Sequence, residues 1–417
     1  MKLWPFGRKS QGDTLSIDQV IRRLEAIYAV SSGVTVTPET CEDSPTVKAI
    51  ITAVTRRFAA MPVHVFQKGN SGGRASMEVL PNHPVEKLLN RPNGWQTNVN
   101  YWMDATSRFL RYGNFYAFKS RGSTGPIRSL VPLSPSTVDV YQDPDNFFLT
   151  YKVSGQRGGF REFPQEQVHH VRSASRDSIK GDCPVMDVRE SIGLEIAAER
   201  FGATFFGNGA MPGIVFKYSE GSQGFESEDQ RRAFIETFRE SFNNRGRFKA
   251  ILPPRGLEVA NPIPVDNDKA QFIELRQIQR TIIAGAFGVP PHLVGDLTKG
   301  TFNNVEMQGI EFSTNCILPV CRAFEAAMER DLLTDSDRTS GVVIRFNPDA
   351  ILRADFKSQQ EGLQIQRQNG IINANEWREM ENMNPISVQD GGDEYWRQGP
   401  SGQTAAPNGG GNNDTQA

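Results

Sequence analysis

The chain has 417 residues, of which 23% are charged and 38% hydrophobic, with a formal net charge of −2 at pH 7 and a pI near 6.3. That length allows two or more packed units, while so even a charge balance excludes a protein that coats nucleic acid, which carries a large basic excess, so any DNA contact is expected to be loose or local. No run of eighteen apolar residues exists, so no transmembrane helix is expected, and Met1 to Lys9 sets Lys2, Arg8 and Lys9 around only four apolar residues, too few for a signal-peptide core, so the protein is expected to stay where it is made.

Ser16 or Asp18 can cap a first short helix with Val20, Ile21, Leu24, Ile27 and Tyr28 on one face. Asp43 or Ser44, followed by Pro45, opens a second helix carrying Val47, Ile50, Ile51, Val54, Phe58 and Ala59, and Pro62 stops it. "VHVF" alternates as a brief strand, and "KGNSGGR" is a turn-rich tip. Pro84 opens a helix to Leu89, and another spans about Tyr101 to Tyr112 before Gly113 and Asn114 lead into "FYAFKSR". Four or five short strands follow, separated by Gly125-Pro126, "PLSPS", "DPDN" and "GQRGG", so residues 35–180 read as an α+β unit.

Asp182 is expected to cap a helix from about Pro184 to Phe206 that ends at "GNGAMPG". A small α/β insert comes next: a strand from Ile214 to Tyr218, a helix from Glu228 to Phe242, and strands at "RFKAIL" and "LEVANPI". With Asp268 as cap, a helix from Lys269 to Phe287 places Phe272, Leu275, Ile278, Ile282, Ile283 and Ala286 on one arc, which predicts a packed face. Gly288 with Pro290 and Pro291 must end it. Asp296 to Asn304 reads as a mobile loop, and a long helix from Val305 to Leu333 follows, with a kink expected at Pro319. "GVVIRF" is a strand, Asn373 and Glu376 form a capping box for a helix through Met383, and disorder is expected from Gly391 onward.

Few residues invite a chemical reading. His169 and His170 are adjacent on a strand and point to opposite faces, so they are read as ordinary strand histidines and not as metal ligands. Cys41, Cys183, Cys316 and Cys321 form no C-x-x-C and are read as reduced thiols. The chain contains no G-x-x-x-x-G-K-[ST], G-x-S-x-G or H-E-x-x-H, and "GNGAMPG" has neither the context nor the spacing of a phosphate loop. No cofactor, metal or catalytic residue is expected. Lys269, Arg276 and Arg280 share one side of their helix, either as a basic stripe facing DNA or a partner subunit, or as a solvated edge. The loop Asp296, Leu297, Thr298, Lys299, Gly300, Thr301, Phe302, Asn303 and Asn304 is either a polar collar that touches DNA with one cation or an ordinary surface loop.

Residues 270–319, "AQFIELRQIQRTIIAGAFGVPPHLVGDLTKGTFNNVEMQGIEFSTNCILP", resemble the portal proteins of long-tailed double-stranded DNA bacteriophages. The order of "SPTVKAIITAVTRRFAAMPVHVF", "HPVEKLLNRPN", "RYGNFYAF", "FFGNGAMPGIVF" and "LRADFKSQQEGLQIQRQNGIINANEWREMENMNPI" is similar to that family as well. The resemblance implies an α+β portal-type subunit in a homo-oligomeric ring of about twelve copies around a DNA channel. It implies an N-terminal arm (1–34), a wing (35–183 and 305–350), stem helices (184–207 and 267–290), a clip (208–266), a tunnel loop (291–304), a crown (351–392) and a disordered tail (393–417). The implied partners are double-stranded DNA held without sequence preference, the large terminase, the head-tail adaptor, the major capsid protein and the scaffold protein, at a capsid vertex and, during assembly, in the host cytoplasm. Two other readings stay open: an enzyme with an unrecognised active site in the α+β unit, and a virion adaptor or minor capsid protein without a channel.

Overall fold

The computed structural model describes residues 30–71, 74–122, 125–155, 158–207, 216–219, 221, 225, 227–243, 256–259, 268–295, 309–347, 356–381 and 383–395. The expected first helix, before residue 30, the strand at "RFKAIL" and the loop Asp296 to Asn304 lie outside them. The chain divides into two units, Met1–Asn347 and Pro348–Ala417.

In the first unit, α1 (Pro45–Ala59) begins where the Ser44 hydroxyl accepts a bond from the Val47 amide and Pro45 fills a position that needs no amide. Its buried face holds Val47, Ile50, Ile51, Val54, Phe58 and Ala59, as the spacing predicts. β1 (Val63–Ser71) runs beyond "VHVF" and forms a hairpin with β2 (Arg74–Val79). α2 (Pro84–Asn90) and α3 (Asn98–Tyr112) follow, and Gly113 closes α3 at φ +70°. A Cβ at Gly113 would lie 1.8 Å from the Asp182 carbonyl oxygen, so only glycine fits.

Six strands come next: β3 (Asn114–Arg121), β4 (Ile127–Leu133), β5 (Val138–Gln142), β6 (Leu149–Ser154), β7 (Phe160–Pro164) and β8 (Val168–Arg172). They form two antiparallel sheets, ordered β4-β3-β8 and β5-β6-β7, with Tyr116, Val138, Tyr151 and Val168 between them.

The expected single helix after Asp182 is two. Cys183 precedes α4 (Pro184–Asp187), the backbone leaves helical geometry at Val188, and α5 (Arg189–Gly207) continues. Asp182 does not cap because it is engaged elsewhere: its amide donates to the Ala174 carbonyl and its carboxylate pairs with Arg176 at 3.3 Å. In the insert, β9 (Phe216–Tyr218) pairs with β10 (Leu257–Val259), and α6 (Glu228–Asn243) sets Phe234 against Phe216 and Phe225.

α7 (Asp268–Ala286) packs along α5. The long helix is described from residue 309, and its last part, α8 (Leu318–Leu332), carries Phe324 into the centre of the unit. Phe324 touches the rings of Phe58, Trp102, Phe109 and Phe115. After the short α9 (Asp335–Thr339), β11 (Val342–Phe346) returns to pair with β1, giving the order β11-β1-β2. Its outer edge is closed from α8, where Glu325 and Glu329 accept the Phe346 and Ile344 amides at 2.9 and 3.0 Å.

The second unit contains α10 (Phe356–Gln368) and α11 (Ala374–Met380). The Asn373–Glu376 capping box is formed, with bonds of 2.7 and 2.8 Å. α11 ends at Met380 and not at Met383. Order also reaches past Gly391, because Asn375 binds Gly392 and Asp393, and the Tyr395 hydroxyl donates to Glu376. All four cysteines are free thiols.

Candidate functional site

The pair of helices α5 and α7 and the joint where α7 meets the long helix hold most of the residues that the sequence singles out. α5 buries Ile192, Ile196 and Ala198, while α7 buries Gln279, Ile283 and Ala284. Gly193 permits the close seat of the preceding chain on α5, since a Cβ there would meet Val30 Cγ2 at 2.1 Å. Arg276 reaches across to Glu199 at 2.6 Å.

The packed arc expected on α7 is not packed. Of its members only Ile283 is buried; Leu275, Ile278 and Ile282 are 37%, 48% and 45% exposed, with Ile273 beside them at 60%. Ala286 is also exposed, and the Phe272 side chain lies outside the described residues. Helical geometry explains the offset: the line through Arg276, Gln279 and Ile283, at spacings of three and four, faces α5, so the aliphatic line through Leu275, Ile278 and Ile282, one residue earlier at each point, turns about 100° away.

Arg276 is paired with Glu199, Arg280 is half-buried, and the Lys269 side chain lies outside the described residues. The hinge is where the sequence placed it. Gly288 takes φ +67°, Pro290 and Pro291 follow, and Gly295 at φ +89° closes a single turn from Pro291 to Val294.

The interruption of the long helix precedes Pro319. Ser313–Ile317 is a π turn, in which the Leu318 amide bonds the Ser313 carbonyl. Pro319 then stands at the start of α8, where its missing amide costs little. The π turn is also the docking point for the end of α7. The Cys316 thiol donates to the Phe287 carbonyl at 3.5 Å, and the Asn315 carbonyl lies 3.6 Å from where a Gly288 Cβ would be.

Two buried polar groups were not legible as a site in the sequence. Glu195 of α5 accepts the hydroxyls of Ser44 and Thr46 at the start of α1, so its carboxylate faces the positive end of that helix. The one available signal was a carboxylate lodged between Ile192 and Ile196 on an apolar face. At the far end of α8, Asp331 accepts from His169 Nδ1 at 2.9 Å and the His170 amide at 3.1 Å, while Arg330 donates to the His170 carbonyl at 2.7 Å. Burial alone would raise the Asp331 carboxyl, but the Arg330 guanidinium and the His169 ring hold it well below the usual carboxylate range. His170 bonds Tyr151 and Asn114, and burial, with Arg172 and Arg330 nearby, pushes its ring down to about 3.

A histidine oriented by a carboxylate is also found in hydrolytic sites. Here His169 is 1% exposed, and among the described residues its Nε2 has no hydrogen-bond partner, so none of them offers it a nucleophile to activate. The network ties α8 to β8. Among the described residues no cluster of His, Cys, Asp and Glu can hold a metal ion.

Comparison with known proteins adds the remaining information. The family model described as phage portal protein matches residues 45–382. The chain is 27% identical over 356 residues to the portal protein of Enterobacteria phage HK97, covering 85% of this chain and 81% of that protein. It is 30% identical over 386 residues to the probable portal protein of Streptomyces phage phiC31, covering 88% and 80%. The fold matches, with a TM-score of 0.55 and 19% identity over 84% of this chain and 93% of the other, a subunit from the neck of a native gene transfer agent particle computed with C12 symmetry.

Proposed function

Because the chain belongs to the phage portal protein family, whose members are structural and not enzymatic, we propose that it closes into a ring at one vertex of the capsid and that viral DNA is packaged and ejected through that ring. The open line of Leu275, Ile278 and Ile282 on α7 carries this reading. Burying an aliphatic side chain of this size is worth about 1.5–3 kcal/mol, and these are half-exposed in a lone copy, so a neighbouring subunit is the partner that removes them from water. A heterologous contact of that kind generates a ring when its rotation closes, and the C12 symmetry of the similar neck subunit supports a twelvefold closure.

In this reading residues 35–183 and 305–350 form the wing, α5 and α7 the stem, 208–266 the clip that meets the large terminase and later the head-tail adaptor, and 351–392 the crown. The loop 296–304 lines the channel. Lys299 is the only cation in that loop, and Arg276 is already neutralised by Glu199. Sparse cations suit a channel through which DNA slides, because each neutralised phosphate adds salt-dependent affinity that every step must break.

Native mass spectrometry tests the ring. The parent chain is expected to run as about twelve copies, and the double substitution Ile278→Glu with Ile282→Glu is expected to give folded monomers with an unchanged circular dichroism spectrum. A parent chain that stays monomeric over a wide concentration range overturns the reading.

A further inference from the structure

The turn between β5 and β6 displays two adjacent aromatic rings to solvent, Phe147 at 69% and Phe148 at 56% exposure. Phe147 adopts φ +61°, a left-handed conformation that glycine takes freely and an aromatic residue resists. The turn is held in that shape. Asp143 accepts the Phe147 amide on its carbonyl and the Asp145 amide on its carboxylate, the Phe148 amide donates to Asn146 Oδ1 at 2.8 Å, and Gln142 donates to the Phe147 carbonyl at 2.9 Å. A strained backbone kept rigid so that two rings face water serves nothing inside the subunit.

We propose that this turn is a peg by which the outer rim of the ring docks into an apolar, cation-rimmed pocket on the capsid shell protein. The proposal rests on the functional reading above, which sets the loop 296–304 at the axis. In that reading the long helix leads away from the axis, and residues 309–332 alone span about 36 Å at 1.5 Å per residue. Its far end is bonded to β8 through Asp331, and the β5-β6-β7 sheet lies across the β4-β3-β8 sheet. The peg is therefore carried at the end of the subunit away from the channel.

Area and charge indicate the partner. Two rings at this exposure offer about 250 Å², far below the roughly 1,200–2,000 Å² that a stable pairwise interface buries. That is too little to hold a second copy of this chain, and enough for a contact repeated around a ring, where linked sites bind with avidity. The turn itself, residues 143–148, contains Asp143 and Asp145 and no Lys or Arg. The Leu149 amide bonds Gln165 at 3.2 Å, which brings the exposed Glu166 to the same end of the sheet. Such a rim selects a pocket bordered by cations.

The test uses the full chain with Phe147→Gly and Phe148→Ser, singly and together, co-expressed with the major capsid protein of the same phage. Three quantities are read: ring formation by native mass spectrometry, Tm, and portal copies per purified shell by quantitative mass spectrometry. Phe147→Gly is expected to form rings with a Tm equal to or above that of the parent, because glycine relieves the positive φ. Incorporation into shells is expected to fall about tenfold, the effect of losing one modest anchor. Unchanged incorporation overturns the peg. Loss of rings at a retained Tm overturns it in favour of a contact between copies, and a lowered Tm shows instead a packing role for Phe147. A parent chain that forms no ring overturns the functional reading itself, an outcome separate from all of these.

Discussion

The aromatic centre around Phe324 and the aliphatic line on α7 are both sets of apolar side chains, and they end in opposite states. Phe324, Phe58, Trp102, Phe109 and Phe346 surround one another, and none is left to solvent. On α7 Leu275, Ile278 and Ile282, which look like a core in the sequence, are half in water, and a glutamine shares the buried side with Ile283 and Ala284. The first region completes its own packing within one chain. The second leaves apolar side chains open on one helix, a face that the proposed ring would cover, so apolar spacing along α7 does not mark an intramolecular core.

The largest expected effect is in the first region. Phe324→Ala should cost about 3–5 kcal/mol, read as a fall in the urea midpoint and in soluble yield, whereas Ile282→Ala should change subunit stability by less than about 0.5 kcal/mol while weakening ring assembly. A stripe substitution that unfolds the subunit as readily as Phe324→Ala does would erase the distinction between the two regions.

A pH series sharpens it. The His170 ring stays neutral in the folded chain down to about 3, while the unfolded chain takes up a proton near the ordinary value of about 6.5. The unfolded state therefore binds more protons as pH falls, and stability should decline by about 1.4 kcal/mol per pH unit below about 6.5. His170→Gln should flatten that slope in urea titrations at pH 7, 6 and 5, and Ile282→Ala should leave it unchanged.

The smallest effect is expected at the joint between the regions. Since the π turn has already accommodated Pro319, Pro319→Ala should shift stability by no more than about 0.5 kcal/mol. A Tm change of many degrees would mean that the proline itself holds the π turn in place.

Local signals were legible wherever one backbone interaction decides the outcome. Ser44 with Pro45 starts α1, Gly113 stops α3, Gly288 stops α7, and Asn373 with Glu376 caps α11, because a cap or a positive φ depends on a few neighbouring residues. Asp182 misled because it has the chemistry of a cap, but Ala174 and Arg176 of the loop before it already hold it. The π turn was read as a kink at Pro319 because a proline is visible in the sequence, whereas an inserted residue in a helical ladder is not.

The sequence by itself determined the class of the protein, the order of its helices and strands, the absence of any recognised catalytic motif and the likeness to portal proteins, since these follow from short-range patterns and from the succession of segments. Tertiary structure alone decided which side of α7 is covered, that β11 pairs with β1 under the carboxylates of Glu325 and Glu329, and that Glu195 meets the start of α1. Each of these depends on residues far apart in the chain or on the rotation of one helix against another, and spacing along a single segment carries no record of either.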